Sequence, residues 1–233
     1  MTQAAVHVFV VVAHPDDAEI ALGGAIARGS QAGIRVTVGC CAVSEQSPDM
    51  SVRRRLAAEE AATVLGHELT WLAPGDVGQV EDIPEHRLVG LLDRAVKDLD
   101  VDVVITHSEF DSHADHRRVA TAAHASSRTW PDTAHLQLGV NEHRTSAYGR
   151  FVPSLFIPVE AQLERKRTAL AAYSYEGQGY RPLDAKGIEL RSRALGSQCA
   201  ETAAEGLTLV RAVAGSRGGR GLAHLLTGPE GSI

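Results

Sequence analysis

The sequence predicts an α/β protein built on a doubly wound, mostly parallel sheet with helices on both faces and a C-terminal extension. Three observations predict it. From residue 6 to about 127, short apolar, β-branched runs alternate with stretches of helical periodicity. The turns between them are short, as in β-α-β units. Polar loops follow the first and fourth apolar runs, at the strand ends where open parallel sheets bind ligands. A length of 233 residues fits one domain, at roughly 150 residues per domain plus an extension, and the 44% hydrophobic content can fill its core.

Residues 6–13 form a continuous apolar run of strand length, the pattern of a strand buried on both faces. A polar turn, 14–19, leads into a helix over 20–31 that ends at Gly33. A second strand spans 34–43. Ser51 is placed to cap a helix to Leu65, with Gly66 just beyond it. A short strand, 68–72, precedes an irregular loop over 74–83. Pro84 opens a helix whose Leu88, Leu91, Leu92, Ala95, Val96 and Leu99 share one face. A fourth strand, 101–106, is followed by a polar loop, 107–113, and a helix from Asp115 through Ala125. The pattern is Rossmann-like, with the core at about 6–127.

The extension, about 128–214, is less regular. Strands are expected at 135–140, 151–159 and 207–213, helices at 160–173 and 184–204, and a Tyr- and Gly-rich loop at 173–182. The Gly/Arg-rich residues 215–221 and the tail to 233 are expected to be mobile. The whole chain, 1–233, is read as one domain.

Twenty-three basic residues against 29 acidic give a formal charge of -6, which speaks against a nucleic-acid partner. No apolar stretch is long enough for a membrane span, and the N-terminus has no basic leader region, so a cytoplasmic protein is expected. The three cysteines form no spaced framework of pairs. The assembly state is open, a homo-oligomer included. Eleven histidines in a chain with 4% aromatics point instead to metal or proton chemistry.

In the common strand order 3-2-1-4, the first and fourth strands are neighbours and their loops open into one crevice. The first loop reads Ala13-His14-Pro15-Asp16-Asp17-Ala18-Glu19, and the second runs from His107 through Asp111-Ser112-His113-Ala114-Asp115-His116. His14 and Asp17 lie three apart, as do His113 and His116, and that separation lets each pair converge. Three such groups suffice for a Zn2+ ion with an open fourth position. His107 is read as a structural hydrogen-bonding group. Arg55 is set either against a polar substrate or on a solvated helix face, and Glu45, just after the second strand, is a candidate pocket lining. His7, His67, His86, His124, His135, His143 and His224 carry no motif.

The first loop, with Gly23-Gly24 behind it, resembles the AHPDD-x-E…GG signature of the LmbE-like, or PIG-L-like, N-deacetylases, and His113-Ala114-Asp115-His116-Arg117 resembles their HPDHR signature. The likeness extends more loosely through Arg55…Leu65-Gly66 and Glu164-Arg165-Lys166. It implies that His14, Asp17 and His116 are metal ligands, that Asp16 is the general base, that His113 stabilises the oxyanion or donates a proton, and that Asp115 orients His113. It also implies a small N-acetylated substrate, an amino sugar or its conjugate, with Zn2+ or another divalent metal such as Fe2+. Two departures stand out: Ala114 replaces the usual proline, and Tyr173-Ser174-Tyr175-Glu176-Gly177-Gln178 replaces a histidine and an HRSQ-like run.

A metal-dependent hydrolase is therefore the leading expectation. The alternatives are an amidase for another N-acyl conjugate, a non-haem iron(II) oxygenase using the same His/Asp/His triad, and a binding module that no longer catalyses. A nucleotide-binding dehydrogenase is disfavoured, because the first loop is His-Pro-Asp-Asp and not glycine-rich.

Overall fold

The structure is a computed structural model and describes residues 5–43, 48–73, 79–140, 149–174 and 183–227. One seven-stranded sheet runs through it in the order β3-β2-β1-β4-β5-β7-β6. Strands β1 (His7–Val12), β2 (Arg35–Cys40), β3 (Glu68–Trp71), β4 (Val103–His107) and β5 (Ala134–Leu138) are parallel to one another. β7 (Ala204–Arg211) pairs antiparallel with β5, and β6 (Leu155–Pro158) pairs antiparallel with β7 at the outer edge, so the extension prolongs the same sheet. The expected order 3-2-1-4 is present.

Strand period and helix period together make the two cores. On β1, Val8, Val10 and Val12 point to one face and Phe9, Val11 and Ala13 to the other, and all are buried. The first face is covered by α1 (Asp17–Gln31), α2 (Pro48–Leu65), α5 (Leu163–Ala171) and α7 (Arg217–Thr227). The second is covered by α3 (Glu85–Leu99) and α4 (Ala114–Ser126), with Leu88, Leu92, Val96 and Val119 buried against it. Burying a valine or leucine fully stabilises the fold by about 1.5–3 kcal/mol. α6 (Ala185–Ser197) packs on β7.

Helix starts differ from expectation in an instructive way. α1 begins at Asp17 instead of residue 20, which brings a motif aspartate into its first turn. α2 begins at Pro48, ahead of Ser51, as suits a proline whose missing N–H lies among the unpaired donors of the first turn. α1 is kinked at Leu22, and Glu205 on β7 accepts from the amides of Gly24 and Ala25 at 3.0 and 2.7 Å, which caps the second half. A Cβ on Gly24 would stand 2.6 Å from Val159, so the glycine pair serves close packing.

Residues 215–221 are a correction. Instead of a mobile stretch, Arg217–Thr227 is helix α7, with Leu222 and Leu225 buried. The glycines there permit contact: Gly218 donates to Asp132 O at 2.6 Å, and a Cβ on it would lie 2.2 Å from Ala134 N. Of the expected 173–182 loop, residues 175–182 lie outside the described residues, as do the tail 228–233 and Glu45.

Candidate metal centre

The β1–β4 pairing, with Val10 opposite Ile105, brings both motif loops together at one edge of the sheet. His107 ties them: its Nε2 accepts from Ala13 N at 2.9 Å. The structural reading of His107 is thus accompanied by a place in the cluster itself, because its ring stacks on His116 with centroids 4.0 Å apart. Leaving β1, the chain turns at Asp16, whose φ of 90° lies in the left-handed region. Aspartate enters that region more readily than most residues. This turn makes Asp17 the first residue of α1, where the positive end of the helix dipole favours a carboxylate.

Asp17 is the hub. Its Oδ1 lies 3.2 Å from His116 Nε2, and its Oδ2 lies 3.5 Å from His14 Nδ1 and 3.3 Å from His107 Nε2. His14 N also donates to Oδ2, at 2.9 Å. On the far side of each ring stands a second carboxylate, Asp115 Oδ2 at 2.9 Å from His14 Nε2 and Asp111 Oδ2 at 3.0 Å from His116 Nδ1. The rings of His14 and His116 are 5.3 Å apart and His113 is within 5 Å of both.

Among the described residues, two overlapping groups have ligand atoms close enough to share an ion, His14/His113/His116 and Asp17/His107/His116. Hydrogen bonding narrows the choice. His107 Nε2 already accepts from the Ala13 amide. His113 is the N-cap of α4, and its Nδ1 accepts from Asp115 N at 3.2 Å, which leaves the proton of the neutral ring on Nε2. His14 Nδ1 and His116 Nε2 are the nitrogens left directed at the Asp17 oxygens, at 3.5 and 3.2 Å, although the expected trio His14, Asp17 and His116 is not itself one of the two groups. Both His116 nitrogens are buried without completing an aligned hydrogen bond. A buried set of two imidazole nitrogens and a carboxylate fits a divalent ion such as Zn2+.

The electrostatics show the same appetite for positive charge. Burial works against a charged His116, yet Asp17 and Asp111 together raise its pKa to about 10. Burial likewise opposes a charge on His14, and its bonds to Asp115 and Asp17 outweigh it, so its pKa is raised. Asp17 is held well below the usual carboxylate range despite its burial, mainly by His116 and then by the other imidazoles. His107, desolvated and facing His116, drops to about 4, and burial followed by repulsion from His14 and His116 lowers His113. Glu19, in the same first turn of α1, is pushed up to about 7 by burial, and the buried Tyr173 beside it is raised well above its ordinary value for the same reason.

Two placements depart from expectation. Asp115 was expected to orient His113, but its carboxylate bonds His14 and only its amide meets His113. The cause is that α4 starts at Ala114, so the Asp115 side chain in the first turn reaches across to the β1 loop. Arg55 lies over the Trp71 ring, 4.3 Å from Cζ to centroid. Its neighbour Arg54 is the arginine at the site, buried, with Nη2 donating to Asp16 Oδ2 and Pro15 O and Nη1 to Val43 O, all at 3.1 Å. Sequence reading missed it. The available signal was its spacing: Arg54 shares the buried stripe of α2 with Ala58, Ala61 and Leu65. Asp111, two residues before His113, was also overlooked; its Oδ1 accepts from His113 N at 2.8 Å.

The deacetylase YaiS of Escherichia coli (strain K12), itself uncharacterized, is 24% identical over 166 residues, 66% of this chain and 83% of its own. N,N'-diacetylchitobiose deacetylase from Pyrococcus horikoshii has the same fold, with a TM-score of 0.70 and 19% identity over 89% of this chain and 84% of that one. So does GalB, the 4-carboxy-2-hydroxymuconate hydratase of Pseudomonas putida KT2440, with a TM-score of 0.69 and 18% identity over 89% and 97% of the two chains. A fold shared by a deacetylase and a hydratase leaves the reaction to the site. Residues 9–127, just over half of the chain and including both motif loops, match the family described as GlcNAc-PI de-N-acetylase (PIG-L), and the protein belongs to that deacetylase family.

Proposed function

We propose that the protein hydrolyses the N-acetyl amide of an amino sugar or amino-sugar conjugate, with Zn2+ held by His14, Asp17 and His116. One observation carries the reading: His14 Nδ1 and His116 Nε2 both face the Asp17 carboxylate, and each ring has another carboxylate behind it. The family, and the deacetylases of the same fold, favour an N-acetylated substrate.

When bound, the ion would supply Lewis acidity, lowering the pKa of a coordinated water toward about 7 and polarising the amide carbonyl. The chain's own groups do the rest. Asp16, adjacent to Asp17 but bonded to Arg54, is the base that accepts the proton of the attacking water. His113 presents its Nε2–H to the carbonyl oxygen as negative charge develops there, its tautomer set by the capping bond from Asp115 N. The departing amine takes its proton from Asp16 or His113. An extra carboxylate beside the ligands favours hydrolysis over the iron(II) oxygenase alternative, which leaves Asp16 without a task.

The test is metal analysis of the purified protein followed by free-amine release from a panel of N-acetylated amino sugars and their conjugates, with and without chelator. Metal-dependent amine release supports the reading. A metal-loaded protein that cleaves no N-acyl substrate, or turnover coupled to oxygen consumption, would overturn it.

A further inference from the structure

Asp111 belongs to neither signature, yet it touches both histidines of the second one. It is 1% exposed. Its Oδ1 accepts from the His113 amide at 2.8 Å, closing a turn two residues long just ahead of α4. Its Oδ2 stands 3.0 Å from His116 Nδ1, within ion-pair distance though not aligned as a hydrogen bond. The loop carrying it is closed by Arg117, whose Nη1 donates to Asp111 O at 2.7 Å and to Ser112 O at 2.8 Å. The His116 ring is further held between the stacked rings of His107 and His113.

We infer that Asp111 is a positioning residue for metal binding, fixing through its contact with Nδ1 the tautomer and orientation in which His116 turns Nε2 toward Asp17. The inference rests on the metal reading proposed above. Its logic is that of a carboxylate behind a ligating imidazole: a proton kept on Nδ1 frees the Nε2 lone pair, and the negative charge makes that nitrogen a better donor to a cation. Asp115 stands in the same relation to His14. Asp111 differs in also anchoring the backbone from which His113 caps α4, so one carboxylate couples the ligand ring to the neighbouring hydrogen-bond donor.

The two oxygens can be separated by substitution. Asp111→Asn keeps an acceptor for the His113 amide but then turns an NH2 group toward His116 Nδ1, which favours the wrong tautomer. Asp111→Ser keeps an oxygen within reach of the amide and removes the group facing the ring. Zinc affinity is measured on full-length wild type and both variants by competition with a chromophoric chelator. Co2+ absorption spectra report ligand geometry, and thermal melts of the metal-free proteins report folding. The expected result is one ion per chain in the wild type, binding weaker by roughly 10- to 100-fold in both variants, altered Co2+ spectra, and metal-free melting close to wild type. Unchanged affinity in the variants overturns the inference alone, as does a lower melting temperature with affinity unchanged per folded molecule. A wild type that takes up no stoichiometric ion overturns the inference together with the metal reading beneath it.

Discussion

Arg54 holds Asp16 by a 3.1 Å bond from Nη2 to Oδ2, and Asp16 occupies a left-handed backbone conformation at φ 90°. Such a conformation costs about 1–3 kcal/mol and persists only where its surroundings over-determine it. Arg54 supplies that restraint, since the same guanidinium nitrogen also binds Pro15 O. Replacing Arg54 with Met should therefore lower kcat by roughly 10- to 100-fold, part of what a positioned base contributes, while zinc content stays at wild-type level. Steady-state kinetics and metal analysis on the same preparation check this. A rise in KM with kcat unchanged would mean that Arg54 binds substrate instead of placing the base.

His113 and His116 lie three residues apart with rings 4.7 Å apart, but they should fail differently. His116→Ala removes a nitrogen proposed to hold the ion, so both metal retention and turnover should be lost. His113→Ala removes the N–H proposed to meet the developing oxyanion, so kcat should fall by roughly 10²–10³ with the metal retained. Metal content after gel filtration separates the two cases.

The buried pair of Lys166 and Glu205 binds α5 to β7 beneath the kink of α1, with Nζ 2.6 Å from Oε1 and donating to Ile20 O at 2.8 Å. Burial lowers the Lys166 pKa, and the attraction of Glu205 opposes that. Glu205→Ala leaves a buried ammonium without its partner and two amides of α1 uncapped. A loss of about 3–5 kcal/mol is expected, measured by chemical denaturation; a loss below 1 kcal/mol would contradict the role assigned to the pair.

His135 gives the stability a pH dependence. Burial first, then His124 and Arg211, lower its pKa to about 4 from the ordinary 6.5. The folded protein keeps it neutral, whereas the unfolded chain takes up a proton as pH falls through 6.5. Its contribution is therefore complete above pH 6.5 and is lost progressively toward pH 4, at up to about 1.4 kcal/mol per pH unit. His135→Gln should flatten the fall in stability between pH 7 and pH 5. Denaturation midpoints at both values check the slope, and identical slopes would assign the acid sensitivity to other groups.

The sequence alone determined the sheet, its parallel order at the centre and the crevice of the site, because these follow from local periodicity: apolar runs with period two, helical stripes, and polar residues at strand ends. It also marked His14, Asp17, His113 and His116, whose spacing is a property of the chain. Tertiary structure decided which atoms face which. Asp115 serves His14 across the sheet, Arg54 and not Arg55 reaches Asp16, and Asp111 backs His116. The glycines near 218 proved to be contacts of a packed helix for the same reason. Local sequence sets backbone preference through a few neighbouring bonds. The partner of a side chain on another strand or helix depends on register, helix start and rotation, which only packing of the whole chain establishes.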